Sequence, residues 1–66
     1  FHEWVNFDAT GDGKYRANDG WKQRANTELP ASINEALERT SELRNPTRIR
    51  VWVNRQYPEV LGVEWH

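Results

Sequence analysis

The stretch Thr47-Arg48-Ile49-Arg50-Val51-Trp52-Val53-Asn54 decides how this chain is read. Apolar and polar side chains alternate along it with period two, the pattern of an extended strand with one buried face. Ile49, Val51 and Val53 fall on one face, while Arg48, Arg50, Trp52 and Asn54 fall on the other. β-Branched residues suit a pleated, half-buried surface. Such a strand packs on one side only, so another element must cover Ile49, Val51 and Val53.

The segment just upstream supplies that cover. Leu29, Ile33, Ala36, Leu37, Thr40 and Leu43 recur at helical spacing, with Asn34, Glu35, Glu38, Ser41 and Glu42 opposite, which predicts an amphipathic helix. Ser32 and Glu35 have capping-box spacing, Thr27 is the other candidate cap, and Pro30 stands near the start, where a missing N–H does no harm. Asn45-Pro46 ends the helix, because proline disfavours helical geometry in the residue before it.

Strands are predicted on both flanks. Phe1, Val5 and Phe7 share one face of the first segment and His2, Trp4, Asn6 and Asp8 the other. Tyr15 and Ala17 share a face opposite Lys14 and Arg16, and Asn18-Asp19-Gly20 then reads as a turn. Trp21-Lys22-Gln23-Arg24-Ala25 alternates again, as a short strand or an approach to the helix. After Gln56-Tyr57-Pro58-Glu59, the run Val60–Trp65 reads as a last strand with Leu61, Val63 and Trp65 on one face. The expectation is one small α+β domain over residues 1–66: an antiparallel sheet in ββαββ order with one helix packed on one face.

Sixty-six residues bury only about 60 % of their unfolded surface, and the chain has no cysteine to add a disulfide. Four Trp, two Tyr and two Phe are the expected supplement, with aromatic packing defining the core. No apolar run approaches the ~20 residues of a membrane span, and no signal-peptide pattern is present, so a soluble chain of unassigned compartment is expected. A start at Phe1 rather than Met is what a processed product, an excised domain or a designed folding unit with no native ligand would show.

Asp8-Ala9-Thr10-Gly11-Asp12-Gly13-Lys14-Tyr15-Arg16-Ala17-Asn18-Asp19 has the spacing of an EF-hand-type loop. Oxygen ligands stand at loop positions 1, 3, 5 and 12, a glycine at position 6 and a carbonyl at position 7. Asp8, Thr10, Asp12, Lys14 and Asp19 are the candidate calcium ligands. The loop resembles that of dockerin modules, where glycine at position 4, lysine at 7 and aspartate at 12 also recur; that resemblance implies calcium and stops at residue 19. Read as turn chemistry, Thr10-Gly11-Asp12-Gly13 instead predicts a plain β-hairpin, since Asp-Gly supplies the positive φ angles of tight turns. The aromatic and β-branched segment entering the loop favours a strand, where an EF-hand needs a helix.

The sheet face away from the helix collects Trp4, Lys14, Arg16, Arg48, Arg50 and Trp52. Tryptophan and arginine dominate interface hot spots, so the first expectation is a non-catalytic binding module that meets a protein partner through Trp4, Arg48, Arg50 and Trp52. Cations beside exposed rings also suit single-stranded nucleic acid, with Lys14 and Arg16 joining in, although the net charge of −1 tells against it. The bland reading is that arginines simply lie over indoles on neighbouring strands. No catalysis is expected: Ser32 and Ser41 belong to the helix, and His2 and His66 stand at the chain ends, where only neighbouring first and last strands would bring them together near Glu3 or Glu64 as metal ligands.

Overall fold

A computed structural model describes residues 2–18, 29–54, 56, 57 and 59–66. Along the chain come β1 (His2–Ala9), β2 (Tyr15–Ala17), α1 (Ala31–Arg44), β3 (Arg48–Asn54) and β4 (Glu59–Trp65). The ββαββ order and the α+β class are as expected. The strands form one sheet in the order β2-β1-β3-β4, every neighbouring pair antiparallel. The predicted strand or approach at 21–25, the cap Thr27, the ligand Asp19 and Phe1 lie outside the described residues.

Period-two placement holds in the three strands that carry the core. Val5, Phe7, Tyr15, Ala17, Ile49, Val51 and Val53 are buried and form one core cluster with Leu29, Ile33 and Leu37. Burying an aliphatic side chain of this size contributes roughly 1.5–3 kcal/mol. Of the aromatic rings expected to define this core, Tyr15 and Phe7 are the two largest fully buried side chains among the described residues. Phe7 and Tyr15 are its only rings among the described residues, and Trp4, Trp52 and Trp65 lie outside it. The reason is parity: Trp4 and Trp52 occupy the strand positions that point away from the helix.

The hairpin between β1 and β2 closes through Thr10, whose N–H donates to the Lys14 carbonyl at 2.9 Å. Gly11 and Gly13 supply φ of +94° and +83° there, a region L side chains rarely adopt.

Helix α1 departs from its predicted start. Pro30 occupies the N-cap position with φ −55° and ψ 147°, and no side chain caps the helix. Ser32 therefore lies inside the first turn and forms no capping box. The Pro30 carbonyl instead accepts from Ile33 N–H at 3.1 Å and Asn34 N–H at 3.0 Å, and the fixed proline φ presets the entry. At the other end Asn45 takes the left-handed conformation and donates its N–H to the Ser41 carbonyl. Leu43, predicted on the packed stripe, is 73 % exposed.

Strand β4 carries one irregularity. Trp52 pairs with Gly62 but Val53 pairs with Val60, so Leu61 is an extra residue in a bulge. Val60 and Val63 both pack against the core, whereas Leu61 is 48 % exposed and Trp65 44 % exposed. Alternation alone had assigned Leu61 rather than Val60 to the inner set.

Candidate binding face

With α1 on one side, the sheet presents its other face uncovered by any described element. Strands β1 and β3 form its centre, pairing His2 with Asn54, Trp4 with Trp52, Asn6 with Arg50 and Asp8 with Arg48. The Ala9 N–H donates to the Thr47 carbonyl at 2.9 Å. Because antiparallel pairs alternate, the even-numbered β1 residues fall at the non-hydrogen-bonded pairs, where side chains approach most closely. The face is thus built from the tighter set of cross-strand contacts.

At its middle the Trp4 and Trp52 rings meet with centroids 5.2 Å apart at 46°. The His2 ring stacks on Trp52 at 5.9 Å and 23°. The Arg50 guanidinium lies 4.3 Å from the Trp4 ring centre and pairs with Glu64 of β4 at 3.2 Å. One cation thus holds a ring and a carboxylate together. At an exposed site each such contact is worth about 0.5–1 kcal/mol or less.

Towards the hairpin, the Asp8 carboxylate accepts from Asn18 Nδ2 at 2.7 Å and from Arg48 Nε at 3.1 Å. The Asn18 bond first, and the Arg48 guanidinium with it, holds the Asp8 carboxyl below the usual aspartate range. Arg16 stands opposite Asp8 across the β1–β2 pair, exposed and with no ion-pair partner among the described residues. Lys14, predicted on this face, instead precedes β2 in the hairpin turn. Its carbonyl takes the Thr10 N–H, so its main chain closes the turn at the rim of the face.

The residues read as a calcium loop form that same hairpin. Asp12 accepts from the Thr10 hydroxyl and, at 3.1 Å, from the Lys14 N–H. These bonds, the Thr10 hydroxyl first, lower the Asp12 pKa. Asp8 is turned towards Arg48 and Asn18. Among the described residues no three His, Asp or Glu side chains gather as a metal site. The terminal histidines do not meet. His2 is level with Asn54, while the backbone of His66 bonds that of Arg48 at the opposite end of β3, about 20 Å away at ~3.3 Å per residue.

Sequence reasoning placed Trp4, Arg48, Arg50 and Trp52 together but missed Asp8 and Glu64 as the partners of the two arginines. Opposite charges at even-numbered positions of adjoining strands would have signalled them once strand order was known. Comparison of the chain with protein-family models, curated proteins and solved structures found no match, so the function rests on this geometry alone.

Proposed function

We propose that the chain is a non-catalytic protein-binding domain that engages its partner through the open sheet face, with Trp4 and Trp52 at the centre and Arg48 and Arg50 beside them. The observation that supports this most is the pairing of the arginines. Arg48 is matched by Asp8 and Arg50 by Glu64, so the rings sit in a charge-balanced surround rather than a basic one. Balanced charge around a rigid aromatic centre suits a protein surface. A nucleic-acid platform needs cations free to meet phosphates. Arg16 remains to take a carboxylate from the partner at the rim.

The test uses immobilised domain to capture a binding protein, which is then purified and titrated by calorimetry. Trp52→Ala with Arg50→Ala is expected to weaken that complex by about 30-fold or more, the scale of a hot spot of ~2 kcal/mol. Equal affinity for the double variant refutes the reading. So does quenching of tryptophan fluorescence by single-stranded DNA or RNA with affinity falling steeply as salt rises, which transfers the face to nucleic acid.

A further inference from the structure

On the open face the acceptors at Asp8, Asn54 and Glu64 are engaged from within the chain, while the ring donors are not. The Asp8 carboxylate accepts from Asn18 and Arg48, and Glu64 pairs with Arg50. The Asn54 side-chain oxygen, level with His2, accepts from the Gln56 N–H at 3.1 Å and the Tyr57 N–H at 3.4 Å. By contrast, the indole N–H groups of Trp4 and Trp52 have no acceptor among the described residues, and both reach solvent. Beside Trp52 the surface is also notched. Gly62 of β4 pairs with Trp52, and a Cβ built on it would meet only the Trp52 Cβ, at 3.8 Å. Elsewhere the Trp52 ring is flanked, by His2 stacked on it and by Trp4 tilted against it.

We propose that the open face takes a proline-rich segment of its partner in the polyproline II conformation, an inference that rests on this face being the protein-binding surface. Each residue of an ordinary extended peptide brings an N–H that must find an acceptor on the face or keep its water. Proline brings none. A proline run offers carbonyls alone, and within a polyproline II helix these have no internal partner. The two indole N–H groups supply donors for them, and the notch at Gly62 admits a pyrrolidine ring beside Trp52. Because the conformation is formed in advance, docking it on aromatic side chains costs little ordering entropy.

Arg16 adds a charge requirement at a defined spacing. The Trp4–Trp52 and Asp8–Arg48 pairs stand four residues apart along β1, about 13 Å at ~3.3 Å per residue. Arg16 lies one strand further out, opposite Asp8, which puts it about 15 Å from the ring pair with strands ~4.8 Å apart. Polyproline II rises about 3.1 Å per residue, so about five residues span that distance. The segment that fits best therefore carries an acidic residue about five positions from the proline seated at Trp52.

Calorimetric titration with synthetic peptides tests this. One peptide has five prolines, a glutamate and five more prolines; a second is proline throughout; a third sets the glutamate among alternating glycine and serine. Both proline peptides are expected to bind, shifting the indole N–H resonances of Trp4 and Trp52, and the glycine–serine peptide to bind at least about tenfold more weakly. Arg16→Ala should remove the advantage of the first peptide over the second, about two- to fivefold for an exposed ion pair. Gly62→Val fills the notch and should weaken both proline peptides by about tenfold. Gly62 has no left-handed φ and valine suits a strand, so circular dichroism and melting should match the parent; Gly62→Ala gives the same comparison, with a smaller loss, if valine unsettles β4. No binding of either proline peptide at millimolar concentration, equal binding of the glycine–serine peptide, or full affinity in the folded Gly62 variants overturns the proposal, and a glutamate advantage that survives Arg16→Ala overturns the spacing. If a captured partner loses affinity with Trp52→Ala and Arg50→Ala but no proline peptide competes with it, this inference fails while the protein-binding face stands; a partner indifferent to that double variant removes the face itself.

Discussion

Tyr15→Phe tests how the hairpin that carries Arg16 and Asn18 is held to the rest of the sheet. Tyr15 is 1 % exposed, and its hydroxyl donates to the Pro46 carbonyl at 2.6 Å. Pro46 is itself buried and lies in the link between α1 and β3. The substitution keeps the ring, so packing is nearly unchanged, but it removes one hydrogen bond and strands a buried acceptor. The bond is worth about 1 kcal/mol net and the unsatisfied carbonyl costs about as much again, for a loss of about 2 kcal/mol. In a domain of this size that corresponds to a fall in Tm of about 8–16 °C. Urea unfolding followed by tryptophan fluorescence and by circular dichroism should show a lower midpoint with an unchanged slope. Tyr15→Leu, which also loses ring contacts, should cost more. A loss below about 0.5 kcal/mol for Tyr15→Phe would refute the reasoning, because the Pro46 carbonyl would then be satisfied without the hydroxyl.

Acid should destabilise the domain through Asp8 and Asp12. Their folded pKa values are lowered, so the stability they contribute is present above the unfolded aspartate pKa and is lost as pH falls through the folded one; Asp8→Asn should flatten urea midpoints measured below about pH 5. Gly13→Ala should cost about 1 kcal/mol in thermal melts, because φ is +83° although an added Cβ would meet nothing within 4 Å; an unchanged Tm would show that the turn relaxes freely. Because Asp8 is engaged by Arg48 and Asn18, millimolar calcium against chelator should leave the Tm unchanged, and a rise would reinstate the loop at 8–19 as a ligand site.

The inner and outer residues of β1, β2 and β3 were legible in the sequence because alternation is a local property of an extended backbone. The helix was legible for the same reason, through its 3.6-residue period. Its start was less so: Ser32 and Glu35 satisfy a capping pattern, but Pro30 fixes the backbone earlier and its carbonyl takes the first turn's N–H groups. The inner position of Val60 was hidden because one extra residue in β4 resets parity beyond Gly62. That resetting depends on the partner strand, not on the order of apolar residues.

By itself, then, the sequence determined the order of strands and helix and, in β1, β2 and β3, which face is apolar, since these follow from side-chain spacing along the backbone. Only the tertiary structure decided that β1 lies beside β3 and not β4. That choice places Trp4 on Trp52 and Asp8 on Arg48, and it separates His2 from His66. It also sets α1 over the β3–β4 side and makes β4 the last strand of the sheet among the described residues. Lateral strand order and register join residues forty or more positions apart in the chain, and the energies that select them are cross-strand contacts that exist only once the strands are side by side.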